Sequence, residues 1–273
     1  MTSPRAEALL RSPIGLELFY LIEWRRETSL TDDELMARAS EARRSATVYR
    51  GDYVEHVRFL RSQAPRYEDQ AENVAARMER WWAPLDRTAQ VWAAQSSVWP
   101  MMSELVTDLS QLHPEAPKPK AAMWTSTFVP RTISPWLDWP ENINRREPYK
   151  TWRLAVSDTA RVAEVHSPED WWELAHAYPA SAPGFKYTLM PLASHPGVHT
   201  QDRSNVNARL DPDWQALAED WDGVHVSMAG VMTAEDVAFE RHGLVTELRG
   251  WELESTVWLR WVFDSVEELD VEG

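Results

Sequence analysis

Gly250-Trp-Glu-Leu-Glu-Ser-Thr-Val-Trp-Leu-Arg-Trp-Val-Phe263 alternates in character almost residue by residue. Read with a period of two, Trp251, Leu253, Ser255, Val257, Leu259, Trp261 and Phe263 share one face, and Glu252, Glu254, Thr256, Trp258, Arg260 and Val262 share the other. The first face is nearly all apolar, which predicts a strand over 251–263 buried on that side. The second face sets two carboxylates in a row, followed by a tryptophan and an arginine. Glutamates at alternate strand positions are poor β formers and repel one another. Shielded among aromatics, such a carboxylate would have its charged form disfavoured. The plainer reading is an edge strand that carries charge to discourage aggregation.

Outward from this stretch, 121–128, 151–157, 161–166, 185–190, 223–228 and 244–248 also read as short strands. Ser167-Pro-Glu-Asp and Asp211-Pro-Asp each open a helix with proline at its first position, and 233–240 reads as a third. The amino-terminal part is different. Thr31-Asp-Asp-Glu34 is a capping box, 67–82 carries Ala71, Val74, Ala75, Met78 and Trp82 at helical spacing, and 97–112 continues an apolar stripe. Three prolines in 113–120 mark a linker. The expected architecture is α+β: a helical layer or domain over 1–112, the linker, a mixed and mostly antiparallel sheet domain over 121–263, and an acidic, solvated tail over 264–273.

Composition narrows the chemistry. Forty-three acidic residues against 28 basic ones leave a net charge of −15, the reverse of the footprint that holds proteins on nucleic acid or anionic membrane. A local basic patch around Arg43, Arg44, Arg50 and Arg58 stands against that background. The absence of cysteine excludes disulfides, thiolate metal sites and cysteine nucleophiles. The apolar run at 15–22 is short and interrupted by Glu17, and no run reaches membrane-spanning length. A cytoplasmic protein is expected, unless it is exported without a cleaved signal. Of 16 tryptophans, 5 precede residue 120 and 11 follow it. Most belong in a core or interface, and their density also suits a pocket for a flat or cationic ligand.

No phosphate loop or dinucleotide fingerprint can be built from the nine scattered glycines. His195 and His199, with Asp202 nearby, are kept off a helix by Pro196 and Gly197, and no metal is expected. His225 reads as a hydrogen-bonded core histidine rather than a base.

Two features remain. In Met123-Trp-Thr-Ser-Thr-Phe128, Trp124, Ser126 and Phe128 share one face and Thr125 and Thr127 the other; the second feature is Glu252-Leu-Glu254. With Val48-Tyr-Arg-Gly51 before them, they resemble, in order, the motifs of the arginine-serine-glutamate branch of the ADP-ribosyltransferase superfamily. The resemblance covers 121–263, with Arg50 outlying by 76 residues from Ser126. The strand reads Thr-Ser-Thr where that family has Ser-Thr-Ser, so Ser126 is matched by register. The resemblance implies that NAD is the substrate. Glu254 would stabilise the oxocarbenium-like transition state as the nicotinamide–ribose bond breaks, Ser126 would orient Glu254, and Glu252 would align or deprotonate the acceptor. Trp124, Thr125 and Trp136 would bind NAD together with Arg50 or, alternatively, Arg153. The acceptor stays open between a protein side chain, a nucleobase, a small metabolite and water. Two other readings stand beside this one: a noncatalytic acidic, Trp-rich interaction or immunity protein, and a different hydrolase using the glutamate pair.

Overall fold

Serine and threonine caps set out the helical layer. Ser3 caps α1 (Pro4–Arg11), and Ser12 caps α2 (Pro13–Trp24) by accepting from the N–H groups of Ile14 and Gly15; each helix starts on proline. Thr31 opens α3 (Asp32–Val48) reciprocally: its hydroxyl accepts from the Glu34 N–H at 3.2 Å, while Glu34 accepts from the Thr31 N–H at 2.7 Å. Then follow α4 (Tyr53–Gln63) and α5 (Glu68–Arg77). The computed structural model describes residues 2–48, 53–95, 108–112, 118–127, 149–180, 210–251 and 253–269.

Helix α2 is apolar nearly all round and forms the centre of this layer, with Ile14, Leu16, Leu18, Phe19, Leu21 and Ile22 buried. Helix α1 crosses it so closely that a Cβ on Gly15 would lie 2.1 Å from the Leu9 carbonyl oxygen. Glu17, buried within α2, meets Nε2 of His56 at 2.6 Å. Burial raises its pKa against the lowering influence of that histidine.

The sheet elements follow as β1 (Gln90–Gln95), β2 (Asp108–Leu112), β3 (Pro119–Ala121), β4 (Met123–Thr127), β5 (Tyr149–Val156), β6 (Val162–Val165), α6 (Pro168–Ala177), α7 (Trp214–Asp220), β7 (Gly223–Val226), α8 (Met228–Ala234), β8 (Ala238–Arg241), β9 (Leu244–Glu247), β10 (Ser255–Trp258) and β11 (Phe263–Leu269). Among the described residues, seven strands form one sheet in the order β11-β5-β1-β4-β10-β7-β6, antiparallel except for the β6–β7 pair, while β2–β3 and β8–β9 are separate two-stranded pairs. The protein is therefore α+β. Helix α8 and Leu253 pack into the core of the helical layer through Met228, Ala229 and Met232. Arg43 of α3 forms a buried ion pair with Glu235 at 2.8 Å, tying the layer to the segment after α8.

Several expected boundaries change. The stretch over 1–112 is not helical throughout, because β1 is an inner strand of the sheet and 108–112 is β2. The end of the proline-rich linker, Pro119–Ala121, is β3, paired with β2. The stretch 251–263 is not one strand: β10 covers only four residues. The chain then turns away, with the Leu259 N–H bonded to the Asp222 carbonyl at 2.9 Å and Arg260 Nε 3.1 Å from the Asp222 carboxylate. Most of the expected free tail is β11, paired with β5 at the sheet edge. Pro212 precedes rather than starts α7, whose cap is Asp213. The third predicted helix, 233–240, is replaced by the end of α8, Asp236 at φ 56°, and β8. The predicted strand at 185–190 and the His195, His199 and Asp202 set lie outside the described residues. Among the described residues, no helix is long and apolar enough to cross a membrane.

Candidate functional site

Strand alternation aligns polar side chains across one face of the sheet. Thr256 of β10 lies opposite His225 of β7 on one side and Thr125 of β4 on the other, and His225 lies opposite Glu164 of β6. Gln90 of β1 pairs with Thr127 of β4. Alternation then puts Glu164, His225, Thr256, Thr125, Thr127 and Gln90 on one face.

Glu254 sits just before β10 and turns its carboxylate onto this row. Its Oε2 accepts from the Thr127 N–H at 2.9 Å, and its Oε1 accepts from the Thr127 hydroxyl at 2.8 Å and faces His225 Nε2 at 3.0 Å. On its other side His225 Nδ1 meets Glu164 Oε2 at 2.6 Å. Glu164 Oε1 accepts from the Leu85 N–H at 3.1 Å. One imidazole, 2% exposed, therefore lies between two carboxylates whose side chains are 13% (Glu254) and 28% (Glu164) exposed.

Burial alone would push His225 down, but hydrogen bonds to Glu164 and Glu254, together with their charges, raise it to about 9. Burial would likewise lift Glu164, yet the His225 bond and charge and the Leu85 N–H leave it lowered. His166 Nε2 stands 3.9 Å from Glu164, and burial lowers its pKa against that carboxylate's pull. At neutral pH the cluster thus holds one imidazolium. With both nitrogens donating, His225 is a poor base and serves as a cationic brace.

This sets a pH window. A group raised from 6.5 to about 9 stabilises the fold fully below 6.5, and that contribution declines as pH rises and is gone above about 9. Urea unfolding from pH 6 to 10 should show this loss, and a His225→Gln protein should lack it. An equal slope in both proteins would contradict the imidazolium assignment.

The residues picked from sequence divide between the two faces. Thr125 lies on the face of Glu254. Trp124 and Ser126 alternate to the other face, where the Trp124 ring packs edge-on to Trp251 at 4.8 Å with the Lys118 ammonium 5.0 Å from its centre. Arg153 of β5 is opposite Val91, which also pairs with Ser126, so Arg153 belongs to that second face. The expected orientation of Glu254 by Ser126 is therefore corrected: the neighbouring threonine makes that contact, since successive strand residues point to opposite faces. Arg50, Trp136 and Glu252 lie outside the described residues.

Thr127→Val should remove one donor to the Glu254 carboxylate and cost about 1.5–3 kcal/mol in urea unfolding, the range of a hydrogen bond to a charged group. That loss should shrink when Glu254 is replaced by Gln, whereas the cost of Ser126→Ala should not depend on residue 254. Double-mutant cycles in urea check this, and the reverse pattern would restore Ser126.

Sequence reasoning missed Thr127, Glu164 and Gln90 as site residues, and gave His225 a purely structural role. The available signal was a polar residue at each matching strand position; Glu164 within Val-Ala-Glu-Val and His225 within Gly-Val-His-Val are the two clearest cases. Among the described residues, no group of three or more His, Asp or Glu is placed to hold a metal ion. A cavity of about 350 Å³ lined by Ile22, Glu23, Arg66 and Tyr67 is on the helical layer and contains none of these residues. Comparison with protein-family models, curated proteins and solved structures gave no significant match.

Proposed function

We propose that this protein cleaves the nicotinamide–ribose bond of NAD and passes ADP-ribose to an acceptor or to water. The supporting observation is the setting of Glu254. Three donors hold its carboxylate, and among the described residues Oε2 takes only one of them. A second lone pair on Oε2 is thus left for a ligand hydroxyl. A carboxylate fixed this way suits a reaction whose transition state gathers positive charge on a sugar ring, because its orientation needs no further cost as that charge develops. Thr127 supplies the positioning expected of a hydroxyl residue on the threonine-rich strand, and His225 fixes the far side.

The test is direct. Purified protein incubated with NAD should release nicotinamide, measured by chromatography, with calorimetric binding of NAD up to millimolar concentration. The absence of both release and binding would remove this reading.

A second reading is favoured by the exposed acidic edge. Asp264, Glu267 and Glu268 of β11 face solvent in a chain of net charge −15, as suits a protein that covers a basic surface on a partner. NAD should quench tryptophan fluorescence saturably under the first reading and leave it unchanged under the second.

A further inference from the structure

Gln90 is fully buried, and its amide is bonded at both ends. Nε2 donates to the Asp86 carbonyl at 3.0 Å and to the Thr127 hydroxyl at 3.1 Å, while Oε1 accepts from the Thr125 hydroxyl at 2.6 Å. The Thr125 hydroxyl accepts from the Trp258 indole N–H at 2.8 Å. Two of these groups act in one direction only. An indole N–H can only donate, and a backbone carbonyl can only accept.

Those fixed ends decide every proton between them. Because Trp258 donates to Thr125, the single Thr125 proton goes to Gln90 Oε1. Because Asp86 can only accept, the Gln90 amino group must face it, and the same amino group then donates to Thr127. Since the Gln90 amino group can only donate and the ionised Glu254 carboxylate can only accept, Thr127 sends its one proton to Glu254. Trp258 is itself locked: its ring lies over Gly223, where an added Cβ would come within 2.8 Å of a ring carbon.

We propose that Gln90 is a positioning residue for Glu254, acting through Thr127. It forces the Thr127 hydroxyl to serve as a donor to the carboxylate at all times, so Glu254 keeps one orientation and presents the same Oε2 lone pair to a ligand. The link to turnover rests on Glu254 being the reacting carboxylate; the one-way chain itself does not.

The experiment is a set of mutant cycles read in two ways. In urea unfolding, Gln90→Met and Glu254→Gln should be non-additive although the two residues do not touch, and the coupling should vanish in a Thr127→Val background. In nicotinamide release, Gln90→Met should lower kcat about tenfold with KM for NAD unchanged, and should add nothing to Thr127→Val. If Gln90→Met does not fold, Thr125→Val breaks the chain one link earlier and should show the same dependence on Thr127. Additive unfolding effects with Thr127 present would overturn the proposal. Coupling in unfolding, without nicotinamide release by any form of the protein, would keep the chain and remove the NAD reading instead.

Discussion

If the protein cleaves NAD as proposed, Glu254→Gln should lower nicotinamide release by about 100- to 1,000-fold, the range seen when a preorganised electrostatic partner is removed from a reacting centre. The substitution keeps shape and removes charge. Glutamine cannot reproduce the acceptor pattern, because its amino group would have to face either the Thr127 N–H or the protonated ring of His225, both of them donors. NAD affinity should change much less than kcat, since the attraction to an oxocarbenium ion exists only in the transition state. Nicotinamide release, calorimetric affinity and the urea midpoint, all measured on the same preparation, separate the possible outcomes. A folded Glu254→Gln protein with full turnover would end the catalytic assignment of this residue.

The largest effect on stability should come from His225→Leu. Leucine fills most of the volume but leaves Glu164 and Glu254 facing one another without the intervening cation. Removing one partner of a buried ion pair typically costs about 3–5 kcal/mol, because the remaining charge stays buried and unpaired. His225 has two such partners, each still partly exposed, so that range is a fair expectation for urea unfolding at pH 7. Combining His225→Leu with Glu164→Gln and Glu254→Gln should recover part of the loss, since the stranded charges are then gone. A triple variant less stable than His225→Leu alone would mean that shape, rather than charge, governs this part of the sheet.

Local physics was legible in the sequence wherever a signal repeats over a few residues. The Thr31 capping box and the Ser167 cap are where the pattern puts them, and β4, β5, β6, β7 and β9 follow their apolar alternation. The errors have identifiable causes. Gln-Val-Trp-Ala-Ala-Gln contains good helix formers, yet two neighbouring strands recruit 90–95 into the sheet interior, and tertiary pairing outweighs intrinsic preference. The alternation of 251–263 persists beyond β10 because Trp261 and Phe263 still pack together, with ring centres 5.0 Å apart, after the strand has ended. The apolar alternation of the sequence thus outruns the ladder, while β10 itself is buried on both faces. The contacts that define the site join Glu254 to Thr127 across 127 positions and His225 to Glu164 across 61. No local spacing rule reports such pairings. The glutamate was visible as an oddity on a strand, while its partners became visible only with the strand order.

That order also bears on how the chain acquires its structure during synthesis. Strand β10 is synthesised after every other described strand of the sheet except β11, yet its place is in the middle of the sheet, between β4 and β7. Until 255–258 arrive, two inner strands expose open hydrogen-bonding edges, each able to pair with another chain. The helical layer, built from neighbouring segments, can form early. The sheet must wait for a late insertion that closes its central gap and brings Glu254 beside Thr127 in the same event. Closing the sheet interior and assembling these polar contacts are therefore one step, and a nascent chain stalled before β10 would both lack the Glu254 contacts and be prone to aggregate.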